Sequence, residues 1–474
     1  MTESVSHSRE QTRKMTSVGI KKRIIVCCDG TWQDGKFFVE SVNEVSCMLR
    51  TSGCRCFFQI PFNVHKYLGA SFDVRLARTV DHEDARFNPP IPQVVFYQSG
   101  IGSEGGFYAE VVEGGTGATL GNKVEEGYAF IAQRRGKIKR KNSACNAGTN
   151  WLIRDLLFGF SRGAYTARMI AMFIGAIGVL DRRDMDHFSK IFIAYQTLAK
   201  TKDEDEIQKT KAILEPFTNK DAQGILRAYA GNRKFSIKCV GVFETVGSVG
   251  VPEELTLKPQ VEKIFGFPDR ILGEHIERAY HALALNETRK DFDCAKFEQT
   301  EVGRSKGQVL EQCWFTGCHS DIGGGYRFHD LADLTMAWMT ANVCDILAMD
   351  LKYLANLPEP VEPWGQQSPH DPATGIFSLA FQVKRKIPTS YNPVTKEKFH
   401  PSILQQTKLD PETLKIVTEH PELVAELKPL EEEIKSSWTI DEKNRRRMLA
   451  SDEHEKENEK DGVTGAISSL LKHL

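Results

Sequence analysis

The sequence predicts an α/β protein whose mostly parallel central sheet carries helices on both faces. Two observations lead to this prediction: short apolar runs typical of buried strands recur along the chain, and helical stretches separate them. Strands that alternate with helices form parallel sheets, because a crossover helix is needed to return the chain to the starting edge. The strand-like runs are Arg23–Cys28, Gln93–Tyr97, Trp151–Phe158, Ile237–Phe243 and Gln312–Thr316.

Helical patterns lie between these strands. Val124, Tyr128 and Ile131 recur at the i, i+4, i+7 spacing of one helix face. Gly159–Ile177 is predicted to form a turn followed by a helix. The longest uninterrupted apolar stretch, Met169–Leu180, is shorter than the roughly 20 residues that a membrane-spanning helix needs, so it predicts a buried core helix.

The composition is that of a globular protein. Of the 474 residues, 41% are hydrophobic and 26% are charged, which excludes a disordered or low-complexity chain. The net charge of −1 provides no basic surplus for binding nucleic acid.

Residues 1–21 are polar and lack a signal-peptide core, so they predict a disordered leader. The eleven cysteines show no disulfide framework, which favours a reducing, cytoplasmic location.

The domain organisation follows from these patterns. Residues 22–345 are predicted to form the catalytic domain, with helical insertions at 181–235 and 253–311 that act as a lid and set the substrate. His281 lies in the second insertion beside apolar residues at helical spacing and is interpreted as structural. Residues 346–474 are predicted to form an accessory, helical and charged C-terminal tail.

Two segments interrupt otherwise orderly elements. They are residues 52–72 and the basic stretch 134–150, and both are interpreted as atypical surface insertions. The alternatives for the basic stretch are a regulatory or nucleic-acid-binding loop and a membrane-surface contact through Arg134–Lys141.

Gly159-Phe160-Ser161-Arg162-Gly163 is the motif that carries chemistry. It fits G-x-S-x-G, the nucleophile elbow of α/β-hydrolases, and it has the required apolar strand before it and helix after it. In such an elbow a strained turn lifts the serine hydroxyl above the sheet, and the glycines avoid collisions with neighbouring backbone. The motif therefore predicts an α/β-hydrolase-like fold with Ser161 as nucleophile.

A serine nucleophile needs a base and an orienting carboxylate, which follow it in the order acid, histidine in this fold. His319 follows the strand Gln312–Thr316 and precedes a glycine-rich loop, so it is the predicted base. His329 is a secondary candidate. Glu244 ends the strand Ile237–Phe243 and is the predicted acid.

Supporting groups are predicted around this triad. The backbone N–H of Arg162 is one expected oxyanion donor, and Gly30 or Thr31, after the first strand, supplies the second. Asp29 is expected to brace the elbow, and Asp321 follows the base within the same loop. There is no P-loop and no Cys/His cluster with zinc spacing, so neither cofactor nor metal is predicted.

Six blocks follow one another along the chain: Cys28–Trp32, Tyr97–Ser103, Phe158–Arg168, Val240–Gly250, Ala279–Arg289 and Trp314–Tyr326. In sequence and in order they resemble the uncharacterised α/β-hydrolase family related to the type VI secretion phospholipase effectors, in its fungal and eukaryotic form. The resemblance implies an α/β-hydrolase core, with Ser161 matching the nucleophile and His319 the base. The family usually has Trp-Asp where this chain has Phe243-Glu244.

The first functional hypothesis is therefore a serine esterase or lipase that cleaves small-molecule or lipid esters; the resemblance adds phospholipase activity in the bacterial effectors. The alternatives are a catalytically impaired hydrolase-fold scaffold, favoured by the unusual acid, and a membrane-surface binding protein. The sequence predicts neither the acyl or headgroup preference nor the oligomeric state.

Overall fold

The structure, a computed structural model, describes most of the chain. The described residues are 22–30, 45–51, 54–60, 72–100, 118–135, 153–230, 233–246, 270–355, 359–373 and 381–450. The predicted leader, most of the basic stretch 134–150 and the last part of the tail lie outside them.

Buried apolar and β-branched residues dominate the long strands of the central sheet. The strands of the described residues, including those of two separate two-stranded sheets (β2 with β3, and β8 with β10), are β1 Lys22–Cys28, β2 Val45–Thr51, β3 Cys54–Ile60, β4 Glu83–Asp84, β5 Ile91–Gln98, β6 Ile153–Phe160, β7 Ile237–Phe243, β8 Ile271–Leu272, β9 Ile276–Ala284, β10 Glu298–Gln299, β11 Val309–Phe315 and β12 Glu397–Phe399. The helices are α1 Phe72–Thr79, α2 Ala118–Arg134, α3 Arg162–Ile177, α4 Phe188–Lys200, α5 Glu204–Thr218, α6 Gln223–Ala228, α7 Glu301–Ser305, α8 His319–Gly323, α9 Asp330–Val343, α10 Leu351–Ala355, α11 Pro411–Glu419 and α12 Pro429–Ser436.

One eight-stranded sheet organises the described residues, in the order β12-β11-β9-β7-β6-β1-β5-β4. All its neighbouring strands are parallel except β4, which pairs antiparallel with β5. The chain runs from β1 outward to β5 and then continues from β6 on the other side. Sites in open α/β sheets form at the carboxyl ends of the strands beside such a reversal, here between β1 and β6.

Both faces of the sheet are covered, as predicted for an α/β-hydrolase-like fold. Alternate residues of β1 point to opposite faces: Ile24 and Val26 pack with α2 and α3, whereas Ile25 and Cys27 pack with α1 and α9. All four are fully buried. The central strands can therefore be apolar on both sides, and the sheet gives the site a rigid base.

The predicted helical insertion at 253–311 is wrong over its described part. Residues Ile276–Ala284 form β9, which lies between β7 and β11 in the middle of the sheet. A strand buried on both faces has no polar side, so its apolar residues also fit a helical spacing. His281 is consequently a buried strand residue, and its Nδ1 lies 3.2 Å from Gln312 Oε1.

The helices of residues 184–228 agree with the predicted insertion at 181–235, but they do not form the expected lid. They pack outside α2 and α3, for example through Phe192, which lies 5.5 Å from the Phe173 ring. The carbonyl oxygen of Gly178, just beyond α3, accepts a hydrogen bond from Tyr128 Oη at 2.8 Å. Sixteen residues of helix, about 24 Å, separate this end from the nucleophile elbow.

The predicted accessory region 346–474 is not separate from the core. Its residues Glu397–Phe399 form β12 and add an edge strand to the sheet beside β11. His400 Nε2 lies 2.8 Å from Glu431 Oε1, and both residues are buried, so α12 is fixed to the sheet. Within the described residues, no helix is both long and apolar enough to cross a membrane.

Candidate active site

Ser161 occupies the sharp turn between β6 and α3. Its backbone has φ 58° and ψ −124°, a conformation that is strained for a residue with a side chain. Its N–H donates to the Phe243 carbonyl at 3.0 Å, which ties the turn to the neighbouring β7. The sequence motif predicted this strained strand–turn–helix geometry.

The two motif glycines lie where no side chain fits. A Cβ on Gly159 would lie 2.4 Å from the Gly163 carbonyl oxygen. A Cβ on Gly163 would lie 2.0 Å from the Cys28 carbonyl oxygen of β1. Both obstacles are backbone atoms within packed elements, so they cannot move aside. The glycines therefore allow β1, β6 and α3 to approach closely enough to form the elbow.

Replacing Gly163 by alanine is expected to lower the free energy of unfolding by about 3 kcal/mol, since the added methyl group must displace sheet backbone. Gly121→Ala is the matched control. That glycine is also helical, and its Cβ would meet only the Phe192 ring, at 3.4 Å. The control should raise stability by up to about 1 kcal/mol, because alanine favours helix. Urea denaturation measures both, and equal midpoints would contradict the packing argument.

The structure brings Ser161, His319 and Glu244 into one chain of contacts. Ser161 Oγ lies 2.8 Å from His319 Nε2, and His319 Nδ1 lies 3.3 Å from Glu244 Oε2. The residues follow the carboxyl ends of β6, β11 and β7, so strands of a single sheet position all three. Ser161 and His319 are buried, at 8% and 3% exposure.

Glu244 is fixed through both carboxylate oxygens. Oε1 accepts the Ala284 backbone N–H at 2.7 Å, and Oε2 accepts a hydrogen bond from the Arg385 guanidinium, also at 2.7 Å. The residue is fully buried and has φ 44°. Within the described residues, the non-glycine positions with positive φ are Ser161, Glu244 and Lys396. Two of these belong to the chain of contacts, and strained backbone clusters at functional sites.

His319 is held through its backbone and by two aromatic rings that contact its imidazole. Its N–H donates to Glu287 Oε2 at 3.1 Å, so this second carboxylate binds the backbone and leaves the ring to Glu244. The Phe160 ring centroid lies 4.7 Å away, and Phe292 meets the ring edge-on at 4.9 Å. These aromatic contacts limit rotation of the imidazole.

Burial and charge set the protonation states of the pair. Burial alone would raise the pKa of Glu244, but the Arg385 cation and His319 outweigh it, so the pKa lies below the ordinary value. Burial lowers the pKa of His319 below 6.5, and Glu244 offsets this only in part. At neutral pH the arrangement is therefore a carboxylate beside a neutral imidazole, which can accept a proton from Ser161.

The predicted oxyanion donors are only partly where the sequence suggested. Gly30 lies against the elbow, but its N–H donates to Asp29 Oδ1 at 2.7 Å and is not a free donor. The expectation for Gly30 is therefore wrong in this structure, and Thr31 lies outside the described residues. Asp29 also accepts a bond from Tyr97 Oη at 2.6 Å, in keeping with a bracing role. Arg162 is the first residue of α3 and directly follows Ser161, which is the position that the motif predicts for one oxyanion donor.

Asp321 supports the loop that carries His319 rather than the ring itself. Its Oδ2 accepts the N–H groups of Cys318 at 2.9 Å and His370 at 3.0 Å. Oδ1 lies 2.6 Å from His370 Nδ1. It therefore caps α8, the short helix that begins at His319, and ties it to the segment containing His370. The secondary candidate His329 contacts Asp333 at 2.9 Å, and no contact to Ser161 is found among the described residues.

Sequence reasoning missed three residues that surround the predicted triad. Glu287 lies within a quoted block, Ala279–Arg289, so its carboxylate could have been considered. Phe292 and Arg385 carry no local signal: the first follows a polar turn, and the second lies in a basic stretch that resembles ordinary surface sequence.

Comparisons with known proteins identify the family to which most of the chain is similar. The sequence profile of the family described as "T6SS, Phospholipase effector Tle1-like, catalytic domain" matches residues 22–342. An uncharacterized protein of Saccharomyces cerevisiae, YEL023C, is 26% identical over 207 residues, which cover 42% of this chain. The chain matches only 26% of that protein's length.

Two solved structures are also similar. An uncharacterized protein from Pseudomonas aeruginosa is 15% identical with a TM-score of 0.30, covering 71% of this chain and 46% of its own. The Tle1 effector bound to the VgrG spike of the type 6 secretion system is 16% identical with a TM-score of 0.28, covering 65% of this chain and 52% of its own.

Proposed function

We propose that this chain, which belongs to the family of T6SS phospholipase effector Tle1-like catalytic domains, is a serine hydrolase that cleaves carboxylic esters of lipids. The family supports a hydrolase of the phospholipase type. Ser161 as nucleophile, His319 as base and Glu244 as acid are our assignments. Phospholipids are the proposed substrate class, and the reaction needs no cofactor.

The proposed reaction is acyl transfer to Ser161. With its Nδ1–H donated to Glu244, His319 presents Nε2 as acceptor to the Ser161 hydroxyl, 2.8 Å away. The imidazole takes the proton as Oγ attacks the ester carbonyl, and it then gives the proton to the leaving alcohol. Water, activated by the same imidazole, releases the fatty acid from the acyl-enzyme. The oxyanion would be stabilised by the Arg162 N–H at the start of α3.

The observation that carries the proposal is the continuous contact from hydroxyl to carboxylate at a strained elbow. Ordinary buried serines do not combine positive φ, two flanking glycines without room for a Cβ, and a histidine at 2.8 Å. A base that is neutral at pH 7 and faces the hydroxyl is what nucleophilic catalysis requires.

Labelling with a fluorophosphonate probe tests the proposal directly, because the probe reacts only with an activated serine. We expect mass spectrometry to find the adduct on Ser161 and to find none in Ser161→Ala. A panel of phospholipids, triglycerides and short p-nitrophenyl esters then identifies the substrate class. Folded protein that remains unlabelled would refute the hydrolase and favour the scaffold hypothesis.

The pH dependence of kcat/KM should report the base. Because burial lowers the pKa of His319, the imidazole stays neutral until the pH falls below its ordinary value of 6.5. Activity should therefore be constant at and somewhat below pH 6.5 and decline at lower pH, where the imidazole takes up a proton and can no longer serve as base. A decline centred above pH 7 on a soluble ester would contradict this assignment.

A further inference from the structure

A buried guanidinium reaches the predicted triad from outside the region that defines the family. Arg385 lies beyond residue 342, where the family match ends, in the segment that precedes β12. Its side chain is only 5% exposed, and its partner Glu244 is fully buried. An arginine in such a place is desolvated, so it is retained only if its charge and hydrogen bonds are satisfied there.

The guanidinium makes two well-formed contacts through Nη2. It donates to Glu244 Oε2 at 2.7 Å and to the Phe292 carbonyl oxygen at 2.8 Å. Phe292 is also the ring that meets the His319 imidazole edge-on. One cation therefore contacts both the carboxylate beside Nδ1 and the residue that flanks the imidazole.

Glu244 needs such a partner because its side chain is longer and has one more rotatable bond than that of aspartate. The Ala284 N–H holds Oε1, but this leaves Oε2 free to turn about the last bond. Arg385 fixes Oε2, which is the atom that lies 3.3 Å from His319 Nδ1. The carboxylate is thus held at two points and presented to the base in one orientation.

We propose that Arg385 is a positioning residue that orients the Glu244 carboxylate toward His319 and limits the negative charge felt by the imidazole. This inference deepens the proposed function and rests on it for its catalytic consequence. If Arg385 has this role, the proposed active site includes a residue of the C-terminal segment, beyond the matched catalytic domain. Arg385 acts through Glu244 and Phe292 and does not itself touch the reacting atoms.

The expected consequence is a change in proton affinity of the Glu244–His319 pair. Removing a buried cation favours the uptake of one proton by the pair, whichever of the two residues binds it. Because the two side chains are in contact, the imidazole resonances report the proton in either position. In Arg385→Met the midpoint of this titration should therefore rise by about one pH unit.

Nuclear magnetic resonance of protein labelled with ¹³C-histidine measures this titration without requiring catalysis. The His319 signal is identified by its loss in His319→Gln. Arg385→Lys retains a cation and should titrate close to the native protein. Arg75→Met is the matched control, because it also removes a buried arginine from a carboxylate, Asp333, but one outside the triad. It should leave the midpoint unchanged, and circular dichroism checks that every variant is folded.

Kinetics with a soluble p-nitrophenyl ester form the second readout. Arg385→Met should lower kcat about 10- to 100-fold with KM changed less than twofold, and it should move the acid limb of kcat/KM upward by the same amount as the His319 titration. An unchanged midpoint in folded Arg385→Met, or an equal rise in Arg385→Lys, overturns the inference. A native protein that hydrolyses no ester refutes the proposed function instead, while the His319 titration still decides the role of Arg385.

Discussion

Ser161→Ala should abolish hydrolysis of a short p-nitrophenyl ester, lowering kcat by about 10⁴-fold or more. The substitution removes the Ser161 hydroxyl, whose Oγ lies 2.8 Å from His319 Nε2. It leaves the backbone strain unchanged, because alanine at φ 58° is no more crowded than serine. The variant should therefore unfold at nearly the native temperature, so lost activity cannot be attributed to lost structure.

The chain offers an internal control for this experiment. Ser402 Oγ lies 2.8 Å from His400 Nδ1, and His400 Nε2 lies 2.8 Å from Glu431 Oε1. The same three residue types are therefore in contact as in the predicted triad, but with the two ring nitrogens exchanged. Ser402 has no elbow geometry and lies within the short helical turn Pro401–Gln405. Ser402→Ala should keep native turnover, with a loss of about 1 kcal/mol in stability. Turnover that is retained in Ser161→Ala would refute the assignment of Ser161 as the nucleophile.

The sequence predicted those parts of the fold whose signal is local. Ile237–Phe243 was predicted with both ends correct, and the predicted run Arg23–Cys28 falls one residue short of β1. The elbow was predicted because glycine is required where two backbones approach too closely for a Cβ to fit, as at Gly163 against Cys28. Such requirements leave a fixed spacing in the sequence.

The parts that were missed depend on contacts between distant segments. β9 was predicted as helix because a strand covered on both faces loses its alternation. Arg385 was not predicted at all, because no neighbouring residue in the sequence indicates that it pairs with the buried Glu244, 141 positions away. The same reason explains Glu287, whose role depends on a bond to the His319 backbone. The three residues of the proposed triad could be predicted from strand ends, whereas the groups that contact them in the structure could not.

Glu244→Gln should lower kcat by about 10⁴-fold, because a neutral amide neither stabilises the imidazolium nor fixes the tautomer that presents Nε2 to Ser161. KM for a short ester should change little, since Glu244 is fully buried and lies on the far side of the imidazole. The loss should persist at every pH between 6 and 9. A kcat within tenfold of the native value would show that another group orients His319, and Glu287 would then be examined first.

The same substitution should also destabilise the protein, and a second change should separate the two effects. Glu244→Gln leaves the Arg385 cation buried without its counter-charge, which costs about 3–5 kcal/mol in the free energy of unfolding. Adding Arg385→Met removes the stranded charge, so the double variant should regain most of that stability. It should stay as inactive as Glu244→Gln, because the imidazole still lacks its carboxylate. Denaturation midpoints and kcat measured on all four proteins test this, and a double variant that loses the summed stability of both single variants would contradict a direct ion pair at the site.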